Sequence, residues 1–209
     1  MDKGSYSGAY YLHKKPIPIP VSREYIYEIG KEYYGEYRIL FYLLYLTGGR
    51  ISEVLKLRRD DIEERGDVLL VNLYTAKNKL IDFRNLPIIN DGIYKKMLDP
   101  VIEYVNQSEY GLRLFKMTRQ MAYNNLSRKW ITIRATHKKR VIENYKLKLR
   151  PHYLRHCRLT HLVTVHNFNE FSLMQFAGWT NIKPAMFYVR QNWKDLVSRM
   201  RDFQIPQKE

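Results

Sequence analysis

The chain has 209 residues, and 36 lysines and arginines against 21 aspartates and glutamates give it a net charge of +15. Apolar residues make up 45% and aromatic residues 14%, which excludes a disordered chain and leaves room for one domain with a real core or two small ones. Such a cationic excess points to a polyanionic partner, most simply nucleic acid or an anionic membrane surface. No run of about 20 apolar residues is present to span a bilayer, and Met1 to Tyr11 hold no apolar signal core. The single cysteine, Cys157, excludes an internal disulfide and fits a reducing, cytoplasmic setting.

Residues 1–21 read as a lead-in. Pro16-Ile17-Pro18-Ile19-Pro20 cannot be helical and predicts an extended linker, the remnant of a connection to an N-terminal domain that the chain lacks. Ser22 is an N-cap for a helix through about Tyr34, closed by Gly35. A second helix runs from Glu36 to Thr47. Its Ile39, Leu40, Phe41, Leu43, Leu44 and Leu46 are apolar nearly all round, which places it in the core, and Gly48-Gly49 ends it. Arg50 then opens a short helix, with Glu53 three residues on and Val54, Leu55 and Leu57 facing inward, and Asp60-Asp61 closes it.

Asp67 to Tyr74 and Ile81 to Ile88 read as strands. The polar turn Thr75-Ala76-Lys77-Asn78-Lys79 joins them, so they form a hairpin with lysines at its tip. Asp91 to Asn106 is helical, with a kink or break expected at Pro100. Leu112 to Phe115 is expected as a short third strand. Thr118 caps a helix from Arg119 to roughly Arg134, or onward through Lys138 and Lys139 to Arg140, a basic stretch that is either a solvated face or a phosphate contact. Further helices follow from Pro151 through Val165, from Asn169 to Ala177 and from Ile182 to Gln191, with a last amphipathic piece ending at Phe203. The sum is an α+β fold, mainly α-helical, with one small three-stranded antiparallel sheet.

The chemistry centres on Pro151-His152-Tyr153-Leu154-Arg155-His156. Proline suits the first position of a helix, which puts His152 in the first turn, where free backbone N–H groups attract anions. Arg155, three residues on, shares that face. Imidazole, guanidinium and helix N-terminus together make a phosphate seat; the plainer alternative is a solvated basic helix. His152 and His156 have the spacing of a zinc pair, but residue 153 is Tyr rather than Glu and no carboxylate or cysteine cluster completes a site, so no metal is expected.

Five features stand in order: Arg50-x-x-Glu53, a lysine on a β-hairpin, His152-x-x-Arg155, Gly178-Trp179, and Tyr188 nine residues beyond Trp179. In that order they resemble the catalytic domain of the tyrosine recombinase (phage integrase) family. Thr47-Gly48-Gly49-Arg50-Ile51-Ser52-Glu53-Val54 resembles the family's first arginine box, Pro151 to His156 with Thr160-His161-Leu162 its second, and Phe187-Tyr188 the apolar-tyrosine pair at its nucleophile. The resemblance covers residues 36–195 and implies that residues 22–209 are the catalytic domain, without the family's N-terminal core-binding domain. It implies Tyr188 as nucleophile, Arg50 and Arg155 as clamps on the scissile phosphate, His152 as an aid to proton transfer and Glu53 as an orienting partner. Lys77 is the expected general acid for the leaving 5′-hydroxyl, with Lys79 left open as the alternative. Trp179 stands where most members carry histidine and keeps an indole N–H donor; Cys157 replaces a small hydroxyl residue. The implied activity is site-specific cleavage and rejoining of double-stranded DNA by homo-oligomers, dimers or tetramers, with no cofactor and no membrane. A helix exchanged between subunits is expected in Trp193 to Phe203. The alternatives are type IB topoisomerase-like strand relaxation and a non-catalytic basic DNA-binding module.

Overall fold

The computed structural model of the chain describes residues 20–75, 83–136 and 150–189, the side chains of 131–136 excepted. Its first helix, α1 (Arg23–Lys31), begins where the Ser22 hydroxyl accepts the Tyr25 N–H at 3.2 Å. It stops at Lys31, short of Gly35, which instead opens α2 (Gly35–Thr47) with φ 52°. Every residue of α2 from Ile39 to Thr47 is buried, as its apolarity on all faces requires. Around it pack α1, α3 (Ile51–Val54), α4 (Gly92–Asn106), α5 (Arg119–Thr136) and α6 (Pro151–Thr164). Two shorter helices, α7 (Glu170–Ala177) and α8 (Lys183–Val189), pack on each other and on α6. α4 runs through Pro100 without a break, since Met97, Leu98, Val101 and Val105 on either side of it are buried in the core.

α1 lies hard against α2. The Tyr42 ring covers Gly30, and its hydroxyl donates to the Tyr27 carbonyl at 3.1 Å. A methyl group on Gly30 would sit 2.0 Å from Tyr42 Cε1. Tyr42 is buried and cannot swing away without vacating the core. Gly30→Ala is therefore expected to destabilise the fold by about 1–3 kcal/mol through overpacking, seen as a melting temperature lowered by roughly 2–10 °C.

The sheet is antiparallel, in the order β1 (Ile62–Arg65), β2 (Val68–Tyr74), β3 (Phe83–Ile89). Val68 pairs with Ile89 and Tyr74 with Phe83. Leu69, Val71 and Leu73 of β2 and Leu86 and Ile88 of β3 turn inward onto the helices. The third strand is therefore not Leu112 to Phe115. That segment makes one isolated bridge, Arg58 to Arg113, and the Leu114 N–H donates to the Leu57 carbonyl at 2.9 Å. The place beside β2 is taken by β1, joined to it through Gly66-Asp67. The expected lysine tip of the hairpin, the basic stretch 138–140 and the segment Trp193 to Phe203 lie outside the described residues.

α6 carries a buried histidine with an acid-sensitive role. His161 Nδ1 is 2.8 Å from the Tyr45 hydroxyl, and the two rings meet edge to face at 5.9 Å. Burial, reinforced by the Arg158 and Arg23 cations, pushes its pKa down to about 4. The unfolded chain takes up a proton near pH 6.5 while the folded chain resists until about pH 4. Stability is thus intact above pH 6.5 and falls as pH drops through that window, by roughly 3 kcal/mol at most. Denaturant titrations at pH 7 and pH 4.5 should show the loss for the native chain and a smaller one for His161→Gln.

Candidate active site

The first component is set by the end of α2. Gly48 turns left-handed at φ 56° to cap the helix, and a methyl on Gly49 would lie 2.8 Å from both Leu73 and Val54. The chain therefore leaves the core tightly, and Arg50 becomes the N-cap residue of α3. Glu53, three residues on, folds back: one carboxylate oxygen accepts the Arg50 N–H at 2.9 Å and the other accepts Arg50 Nη1 at 2.6 Å. Glu53 is 1% exposed. Burial would raise its pKa, but the Arg50 backbone N–H, the Arg84 guanidinium and the Arg50 side chain outweigh that and hold it below the usual carboxylate range. Arg50 is thus salt-bridged to Glu53, and it lines a cavity as well.

The second component comes from α6. Pro151 occupies its first turn and Arg150 is the N-cap residue. His152 is exposed, and one turn on Arg155 is 3% exposed. Arg155 Nη1 donates to the Gly48 carbonyl and Nη2 to the Ala177 carbonyl at 2.9 Å. Burial, then the neighbouring Arg84 and Arg50 cations, lower its pKa to about 10, so the guanidinium stays charged at neutral pH. Desolvation, then Arg155 and Arg50, pull the His152 imidazole below its ordinary value, so it is neutral at pH 7. Arg50, His152 and Arg155 converge on one cavity of about 430 Å³ that Arg119, Arg150, Ser52 and Tyr123 also line. Four guanidiniums on one concave surface attract an anion with several oxygens.

The third component hangs on α7. Ala177 is its last residue and Gly178 turns left-handed at φ 65°. The Trp179 N–H returns to the Met174 carbonyl at 3.0 Å, which fixes the chain's exit. The Arg155 guanidinium lies 5.5 Å from the Trp179 ring. Trp179 also stacks with Tyr188 of α8, centroids 5.9 Å apart and planes 25° off parallel. Trp179 is therefore in contact with both the buried cation and the tyrosine. The Tyr188 hydroxyl lies 3.5 Å from His156 Nδ1, outside the lining of the arginine cavity. Burial raises its pKa, and Arg155 pulls the other way.

Of the residues singled out in the sequence, the structure gathers Arg50, Glu53, His152, Arg155, Trp179 and Tyr188 through these contacts. Lys77 and Lys79 belong to the connection between Tyr74 and Phe83 and lie outside the described residues. Among the described residues no three His, Cys, Asp or Glu side chains group to hold a metal ion. Arg84, Arg119 and Arg150 join the site without having been singled out. Arg84 carried a readable signal: it is in phase with Leu86 and Ile88 on the inward side of β3, where a charge requires a partner. Arg119 and Arg150 stand at the starts of α5 and α6, and only the fold brings them together.

A mainly helical domain with a three-stranded edge sheet and arginines converging from α3 and α6 defines the catalytic-domain fold of tyrosine recombinases. Residues 24–194 match the phage integrase family, and the chain belongs to it. Its structure is similar to XerH site-specific recombinase bound to its difH substrate before cleavage, with TM-score 0.64 and 16% identity over 98% of this chain and 59% of that one. It is similar to Tn1549 transposon integrase in complex with transposon right end DNA, with TM-score 0.64 and 17% identity over 92% and 68%. It is also similar to the catalytic domain of bacteriophage HP1 integrase, with TM-score 0.56 and 19% identity over 90% and 96%. At these identities the likeness is one of fold. The chain spans 59% of the XerH recombinase. Among the described residues no helix is long and apolar enough to cross a membrane.

Proposed function

We propose that residues 22–209 are the catalytic domain of a site-specific DNA recombinase or integrase that cuts and rejoins duplex DNA through a covalent 3′-phosphotyrosine. One observation carries the reading: Arg50, His152 and Arg155 share a cavity, and Trp179 touches both Arg155 and Tyr188. A scissile phosphate fits the cavity as substrate, its non-bridging oxygens held by Arg50 and Arg155. Trp179 adds an indole N–H, and Glu53 orients Arg50.

The Tyr188 oxygen forms a bond to phosphorus as the bond to the 5′ oxygen breaks. The phenol proton departs with help from the neutral His152, and Lys77, with Lys79 as the alternative, delivers a proton to the leaving 5′ oxygen. An ordinary phenol near pKa 10 is about 4 kcal/mol short of its anion at pH 7, and burial raises the Tyr188 pKa further. The cations offset that cost and stabilise the negative charge on the non-bridging oxygens of the five-coordinate transition state. The phosphotyrosine conserves the backbone bond energy, so attack by another 5′-hydroxyl reverses the step. The chemistry calls on no cofactor.

Two solved relatives are described with DNA bound, and the net charge of +15 suits such a partner in a cytoplasmic setting. Exchange between two duplexes requires several copies, so a dimer or tetramer on DNA follows, with Trp193 to Phe203 as the exchanged segment. The test is covalent capture from a pool of random-sequence nicked duplexes, with the attached residue identified by mass spectrometry. An adduct at Tyr188 supports the reading, and no adduct, or one elsewhere, overturns it. Two-site recombination with the captured sequence, against relaxation of a supercoiled plasmid alone, separates a recombinase from a topoisomerase-like enzyme.

A further inference from the structure

β3 alternates inward and outward, and its inward positions are Arg84, Leu86 and Ile88. Arg84 is 8% exposed, where an aliphatic side chain would pack without the cost of burying a charge. Its guanidinium reaches two acceptors. Nη2 donates at 3.0 Å to the Glu53 oxygen that also takes the Arg50 N–H. Nη1 donates at 2.9 Å to the Ala177 carbonyl, which Arg155 Nη2 reaches at the same distance. That carbonyl belongs to the last residue of α7, where the helix leaves its acceptors open and its dipole is negative. The next residue is glycine, and a Cβ there would lie 2.0 Å from Arg84 Nη1.

Arg84 thus touches the carboxylate that holds one arginine of the site and the carbonyl that holds the other. It also anchors the helix end from which Trp179 departs. We infer that Arg84 is a positioning residue that registers Arg50, Arg155 and the Trp179–Tyr188 stack against one another through Glu53 and the Ala177 carbonyl. This rests on the recombinase reading and adds to it a residue that acts on the clamp without touching DNA. Methionine at this site would fill the space but remove the side chain that ties Glu53 to the end of α7, leaving Glu53 to Arg50 and the Ala177 carbonyl to Arg155. Lysine would restore the charge but reach one acceptor at a time.

The test uses the full chain and the duplex captured by the wild-type protein. Single-turnover adduct formation is followed over a range of DNA concentrations for wild type, Arg84→Met and Arg84→Lys, with thermal melting of each. At saturating DNA the rate should fall on the order of 100-fold in Arg84→Met, the loss that about 1 Å of misplacement causes, and about tenfold in Arg84→Lys. The half-saturating DNA concentration should move by less than about twofold in both, as many other cations hold the backbone. A wild-type rate in Arg84→Met overturns the proposal. So does a loss confined to half-saturation at an unchanged plateau, which would make Arg84 a DNA contact. Lysine restoring nothing over methionine, or neither variant folding, also overturns it by reducing Arg84 to a stability residue. A wild-type chain that forms no adduct removes the recombinase reading itself, a separate outcome.

Discussion

Tyr188→Phe should remove the covalent protein–DNA adduct entirely and leave duplex affinity within about twofold of wild type. The substitution deletes one oxygen. The ring keeps its stacking on Trp179, 5.9 Å between centroids, and its contact with His156 at 5.5 Å. The lost hydroxyl contact, 3.5 Å to His156 Nδ1, is too long to count for much in stability. Backbone affinity comes from a chain with 36 basic residues, of which none is altered. The hydroxyl rests outside the arginine cavity, so attack requires α8 to bring it onto the phosphate. The variant should bind DNA in gel shift and give no band that survives denaturation. A persistent adduct would place the nucleophile elsewhere and sink the mechanism.

The parts of this site that could be read in advance are those fixed by local chemistry. Gly48-Gly49 before Arg50, Pro151 before His152 and Gly178 before Trp179 are backbone punctuation, and each does in space what its residue type demands. Ser22, Thr118 and Asn169 likewise cap through their own side chains. What escaped depends on distant partners. β1, Ile62-Glu63-Glu64-Arg65, has one buried residue in four and no apolar alternation, so nothing local marks it as a strand. Leu112 to Phe115 looked the better candidate, but Leu114 and Phe115 are buried without joining the sheet. Gly35 looked like a helix stop and proved a helix start, since a left-handed residue serves either side of a break. The long-range meeting of Arg84 with Glu53 and Ala177 exists only once β3, α3 and α7 have packed.

Arg155→Ala should lower both cleavage and stability, in a ratio that reveals how the side chain works. In the wild-type fold two N–H groups of the buried guanidinium are committed to the Gly48 and Ala177 carbonyls. The rest of the fork remains for a phosphate. Alanine orphans the Gly48 carbonyl, leaves the Ala177 carbonyl to Arg84 alone and opens a hole beside Trp179, which should cost about 3–5 kcal/mol and roughly 6–20 °C of melting temperature. Losing a preorganised cation at the phosphate should slow adduct formation at saturating DNA by about 10²–10³-fold or more. Arg155→Lys separates the two effects. One ammonium can satisfy one carbonyl and keep the charge, so part of the stability returns, yet it cannot hold α2 and α7 together and still present a fork to the phosphate. The lysine variant should therefore melt closer to wild type than alanine does while cleaving nearly as slowly. If instead both variants reach the wild-type rate once DNA is saturating, Arg155 contributes affinity alone and the clamp must be sought among Arg50, Arg119 and Arg150, the other cations of the same cavity.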